Sequence, residues 1–234
     1  MNMYATDART IDQLDVSTRA TFIVRTYTHL LGAILAFTGI EVFFFSSGVA
    51  DQIMRIVGSN PLILFGGFIL VSWLGSRAAA TAKSKAIQYM ALAGFVVMEA
   101  LVFVPILWYA NNVVPQGGVI SSAAAITLTG FGLLTFIAFW TRKDFSFMGA
   151  MLRWVGIGAL IAIVASFVFG FELGAWFSVA MVLFAGGAVL YDTSNVLHHY
   201  PEDRYIAASL QLFASVAMMF FYVLRLLLAF TSRD

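Results

Sequence analysis

Four ionisable side chains stand out inside the long apolar stretches of this chain: Glu41, Glu99, Asp192 and Arg225. An ionisable group at mid-bilayer costs roughly 2.5–3.5 kcal/mol on insertion scales, so each one requires a partner, a water-filled cavity or a function. Asp192 is the sharpest of them. It stands in Val189-Leu190-Tyr191-Asp192-Thr193-Ser194-Asn195, ahead of His199 in the same helical stretch, which sets it about 10 Å from the helix end at 1.5 Å per residue. Tyr191, Thr193, Ser194 and Asn195 offer hydroxyl and amide groups able to hydrate or bond a carboxylate. Two roles are open to it, gating or ion passage on one side and a structural cap or ion pair locking two helices on the other. Glu99, in Val97-Met98-Glu99-Ala100-Leu101, lies about 21 Å along its helix from Lys85; it implies a polar interior, functional or structural.

The remaining polar residues invite plainer readings. Glu41 falls near the outer end of the first apolar stretch, where snorkelling to the headgroups is easy, and Arg225 can reach the far interface as an anchor. Arg25 and His29 are four apart and share a helix face. Arg25 or Arg77, both near the ends of spans, is placed to pair with Asp192 as a latch. His29 suits pH sensing by its range, but reads first as an interfacial hydrogen-bonding residue. His198 and His199 point apart if helical, and with Tyr200-Pro201-Glu202-Asp203 they form a polar connection rather than a metal site.

These groups must be held by membrane helices. The chain has 234 residues, 61% hydrophobic and 11% charged, with a mean hydropathy of +0.91, a balance no single water-soluble core could absorb. Spans are predicted at about 22–46, 60–76, 85–110, 118–140, 147–170, 173–198 and 205–230, each near the roughly 20 residues a bilayer demands. Lipid leaves backbone amides no other partner, and no run shows barrel-strand alternation, so all are helices. The expected fold is an all-α integral membrane bundle of seven transmembrane helices over 22–231, preceded by a polar segment, 1–21. That segment carries Asp7, Arg9, Asp12, Asp15 and Arg19 and does not resemble a cleavable signal peptide. Arg9, Arg19, Arg77, Lys83, Lys85, Arg142, Lys143 and Arg204 fall on one side if spans alternate, against Arg55 and Arg233 on the other. The N-terminus is therefore predicted to be cytoplasmic; Arg225 and Arg233 leave the side of the C-terminus open. Glycine clusters, such as Gly66-Gly67 and Gly186-Gly187, permit close helix approach.

Several functions are disfavoured. Net charge is only +1, so no nucleic-acid surface is indicated. No cysteine is present, which excludes thiol catalysis and thiolate metal sites. Tyr191-Asp192 matches half of an intramembrane aspartyl protease, but no Gly-x-Gly-Asp follows to supply the second carboxylate. His-Glu-x-x-His is absent, and every lysine lies in a loop or at a helix end, against a retinal protein. The chain is not expected to be an enzyme.

Three stretches taken together match a known pattern: Trp140-Thr141-Arg142-Lys143-Asp144-Phe145-Ser146, then Leu190-Tyr191-Asp192-Thr193, then Val223-Leu224-Arg225-Leu226-Leu227. In their order and spacing, from about Arg25 to Leu228, they resemble the Bax inhibitor-1 (transmembrane Bax inhibitor motif) family in its bacterial branch. The resemblance implies a bundle whose last helix is central, with Tyr191, Thr193, Asp144 and Arg225 as family-motif positions. It also implies a pH-sensitive cation leak, chiefly of calcium, sensed by a pair of aspartates on the last two helices. Asp192 matches the first. Ser215, in Leu212-Phe213-Ala214-Ser215-Val216-Ala217, stands in place of the second, so two carboxylates cannot share a proton there and calcium would have fewer hard ligands. A hydrogen bond between Asp192 and Ser215 is the expected replacement. The reading is thus a bacterial inner-membrane protein, a slow cation leak with Asp192, Ser215 and Glu99 along its pathway. No cofactor is implied, and calcium enters only as a transported ion. The other reading is a non-conducting regulator that binds a membrane partner such as a membrane-anchored protease.

Overall fold

The computed structural model describes residues 10–59, 61–112 and 118–231, and their side chains apart from those of 58–65 and 68. Asp7, Arg9 and Arg233, used in the charge argument, lie outside the described residues. The helices are α1 (Val16–Ser46), α2 (Val49–Ser59), α3 (Pro61–Thr81), α4 (Lys85–Asn112), α5 (Val119–Thr141), α6 (Met148–Phe169), α7 (Gly174–His198) and α8 (Tyr205–Thr231), with short 3-10 turns at Ile11–Gln13 and Glu202–Arg204. No strand occurs among the described residues. α1, α4, α5, α6, α7 and the stretch Glu202–Thr231 that holds α8 are long and apolar enough to cross a membrane, six among the described residues. The further span expected at 60–76 falls on α3, a 21-residue helix.

The helix ends follow from their chemistry. α1 starts at Val16, inside the segment 1–21, because Asp15 caps it: its carboxylate accepts from the amides of Ser17 at 3.1 Å and Thr18 at 3.2 Å, two of the donors a helix start leaves unpaired. The Ser17 hydroxyl adds a third bond at 2.5 Å, and these donors hold the Asp15 carboxyl well below the usual aspartate range. Gly48, at φ +77, turns the chain from α1 into α2, a conformation that costs glycine nothing. α2 is a helix where the sequence reading has a loop. Its Ala50, Ile53, Met54 and Val57 are buried or half-buried while Asp51, Gln52, Arg55 and Ile56 are exposed, so it is too short and too polar to span but amphipathic enough to pack along one face.

The chain divides into two compact units, residues 1–109 with 196–214 and residues 110–195 with 215–234. In the first, the rings of α1, α4 and α8 interlock: Phe37 lies 5.1 Å from Phe103 and 6.0 Å from Phe213, and Phe95 lies 6.1 Å from Phe213. Ile206, Ala207, Ala208, Ser209 and Leu210 are all buried. Five consecutive residues exceed one helical turn, so this stretch of α8 presents no face outward. The polypeptide before α1 belongs to the same unit: Ile11 is buried and donates its amide to the Tyr200 carbonyl at 3.1 Å. In the second unit, glycines set the helix spacing. A Cβ on Gly130 would meet Met219 of α8, and one on Gly186 would meet Leu134 of α5. α6 buries only Gly149 and exposes a broad apolar face, Trp154 and Phe169 strongly so, as a helix bordering lipid does.

Candidate functional site

The second unit holds the carboxyl that the sequence singles out. α7 buries Ser178, Met181, Ala185, Val189, Asp192 and Val196, a spacing of three and four residues that makes one continuous stripe. Asp192 occupies that stripe at 3% exposure, and Ser215 of α8 is buried at 2%. The Ser215 hydroxyl donates to Asp192 Oδ2 at 2.5 Å. The polar flank of the motif divides its work. Ser194 accepts from the Phe145 amide at 2.8 Å and reaches Asp144 Oδ1 at 3.4 Å, while Asp144 itself accepts from the Ser146 amide at 2.8 Å. The connection between α5 and α6 is thereby pinned to α7 two residues from Asp192. Its bend comes from Arg142 in the left-handed region at φ +52, with the Arg142 amide bonded to the Ala138 carbonyl at 3.0 Å. Tyr191 turns away to α6, where a Cβ on Gly149 would lie 2.8 Å from its ring and hydroxyl. Thr193 is buried.

Arg225 lies lower on α8, its guanidinium 5.9 Å from the centre of the Phe177 ring of α7, and it is half-buried rather than free at an interface. Arg153 is a basic residue in a span that sequence reasoning passed over. Its Nε donates to the Gly149 carbonyl at 3.1 Å and the residue is exposed, which is the snorkelling geometry expected one turn and a half inside a membrane helix.

The first unit holds the other candidates. Glu99 is buried at 6% on α4. Glu41 departs from the snorkelling expectation: it is 7% exposed, and neither carboxyl oxygen has a hydrogen-bond partner among the described residues. The reason is its place on the packed side of α1, in register with Ala33 and Phe37. Arg77 stacks its guanidinium 5.5 Å from the Trp73 ring on its own helix. Arg25 lies over the Tyr205 ring at 5.5 Å. His29 bonds the Arg25 carbonyl through Nδ1 at 2.7 Å and the Tyr89 hydroxyl through Nε2 at 2.9 Å. A carbonyl can only accept, so Nδ1 carries a proton. His198 and His199 stand with ring centres 6.0 Å apart, and no group of three or more His, Cys, Asp or Glu converges among the described residues.

Long apolar helices, with a buried carboxyl bonded to a serine between the last two of them, define a polytopic α-helical membrane protein with a polar contact inside its spans. The family model described as Inhibitor of apoptosis-promoting Bax1 matches residues 19–232, and the chain belongs to that Bax inhibitor-1 family. An uncharacterized protein of Pseudomonas aeruginosa is 29% identical over 208 residues, 87% of each chain. The BI1-like protein of Arabidopsis thaliana is 35% identical over 121 residues, 48% of this chain and 46% of its own length. The modulator of FtsH protease YccA of Escherichia coli is 35% identical over 120 residues, 51% of this chain and 54% of its own. The match thus spans about half the length of these last two relatives.

Proposed function

We propose that this protein is a slow, pH-influenced cation leak, calcium being the chief candidate ion, in which the contact between Asp192 and Ser215 holds a polar pathway closed. The observation that carries the reading is the burial of that carboxyl inside the spans, bonded to a hydroxyl on the next helix. Burying a charge without function or partner is costly enough that intramembrane carboxyls mark pathways by default. Glu99 extends the polar route in this reading. The setting in this reading is a bacterial inner membrane, and the lysine and arginine bias of the loops supports an N-terminus in the cytoplasm. Calcium flux from liposomes tests it: Asp192→Ala should leak faster than wild type across pH 6–8, and equal flux at every pH removes Asp192 from the mechanism.

A second reading is supported by the description of the Escherichia coli relative as a modulator of a protease. Here the protein is a non-catalytic regulator that engages a membrane-anchored protease and conducts nothing. It predicts co-purification with such a protease together with zero flux in protein-only liposomes. Flux without a partner sinks this second reading.

A further inference from the structure

We propose that the first unit carries a binding site for the phosphate of an anionic phospholipid, built around Tyr205, where α4 and α8 begin and α1 passes beside them. Arg25 and Lys85 both approach the Tyr205 ring, at 5.5 Å and 4.3 Å from its centre, and the His29 ring stands 5.1 Å from it. Two cations against one aromatic ring repel each other, and the ring quadrupole offsets only part of that cost. Their acidic surroundings do not offset the rest. Asp203 gives Lys85 its backbone carbonyl, but its carboxylate faces Arg204 Nε at 3.4 Å. Among the described residues no carboxylate forms an ion pair with Arg25 or Lys85. Arg204 in turn spends Nη1 on the Ala82 carbonyl at 2.5 Å. Among the described residues the cluster therefore holds an excess of positive charge, with Arg25 exposed, beside the first residues of α4 and α8.

A lipid, rather than a free anion, fits the surroundings. Val24 and Leu31 on α1 and Ile87 and Met90 on α4 are all strongly exposed apolar residues flanking the cluster, the surface an acyl chain covers. A basic group near an anionic leaflet contributes roughly fivefold in affinity, so two give a preference on the order of twentyfold. The full-length protein in detergent, offered equal phosphatidylglycerol and phosphatidylcholine, should by native mass spectrometry retain the anionic lipid by about that ratio. Arg25→Gln, at an exposed position that folding tolerates, should lose roughly fivefold, and Arg25→Gln with Lys85→Gln should approach parity. Arg142→Gln with Lys143→Gln, in the second unit, should keep the preference. The proposal is overturned by parity in the wild type, by an equal loss from the Arg142 and Lys143 pair, which would mean diffuse surface charge, or by displacement of the lipid with millimolar inorganic phosphate, which would mean a soluble-anion site.

Discussion

Replacing Ser215 by alanine removes one oxygen from the membrane interior and leaves the backbone and Cβ in place, so its effect isolates the hydroxyl. That hydroxyl donates to Asp192 Oδ2 at 2.5 Å, between residues 2% and 3% exposed. A buried hydrogen bond contributes about 0.5–1.5 kcal/mol net, and a buried polar group that loses its donor costs about 1–3 kcal/mol. Ser215→Ala should therefore destabilise by about 2 kcal/mol, and Asp192→Ala by somewhat more, since it also opens space on the α7 stripe. The decisive quantity is the coupling. Thermal or SDS unfolding of the two single variants and the double variant in one detergent should give a double-variant loss smaller than the sum by about 1–2 kcal/mol, whereas independent sites add to within about 0.5 kcal/mol. Asp192→Asn, which keeps an acceptor oxygen, should retain part of that coupling. Additive losses would show that the contact contributes no energy and cannot be what holds the last two helices together. The same variants read function: with the contact closing a pathway, Ser215→Ala raises calcium leak in the same direction as Asp192→Ala.

Gly149→Ala would put a methyl 2.8 Å from the Tyr191 ring and hydroxyl, so it should cost about 1–3 kcal/mol by overpacking; Tyr191→Leu in the same chain should recover most of that loss in the unfolding assay, and no recovery would show that Tyr191 is not the obstacle. Asp15 has a carboxyl held low by its Ser17 and Thr18 donors, so its cap contributes fully above the ordinary aspartate range, near pH 4, and fades as pH falls through its lower folded value. The protection of the Ser17 and Thr18 amides, with the intrinsic pH dependence of exchange divided out, should fall in acid for wild type and stay level in Asp15→Asn; parallel profiles would contradict the assignment. Asp51 accepts from Trp108 Nε1 at 2.8 Å, and Asp51→Ala should loosen α2 at a cost of about 1 kcal/mol, visible as a shifted Trp108 emission in a variant whose other tryptophans are replaced by phenylalanine.

The helix register was legible because this sequence punctuates its apolar runs with charged residues and with helix-ending glycine and proline. Lys85 opens α4, Gly170 at φ +70 closes α6, and Pro201 separates α7 from α8; each expected span from 85–110 onward ends within two residues of its helix. α1 is the exception at its start, since Asp15 caps a helix before the hydrophobic run begins, and hydropathy is blind to a cap. α2 was missed for a related reason: eleven residues with Asp51 and Arg55 among them look like a loop to any test that asks for a span. What the sequence could not supply was direction. Glu41 stands near the end of an apolar run, where position favours the headgroups, yet it faces the packed side of α1. The facing side depends on partners far away in the chain.

The same dependence explains why Ser194 became a loop anchor rather than a ligand of the neighbouring carboxyl. On a helix, residues two apart point to different faces, so Ser194 cannot share the direction of Asp192 and instead meets the chain that passes beside α7, where Phe145 offers an amide and Asp144 a carboxylate. Gly149 then lets α6 come close enough for Tyr191 to rest on it. Three positions of the motif thus hold three different neighbours: Tyr191 rests on α6, Asp192 bonds α8, and two residues further Ser194 holds the connection that leads into α6. A change in the Asp192 contact has a mechanical route to that connection through the rigid turn of α7 between them, and that route exists whether the protein passes ions or presents the connection to a partner.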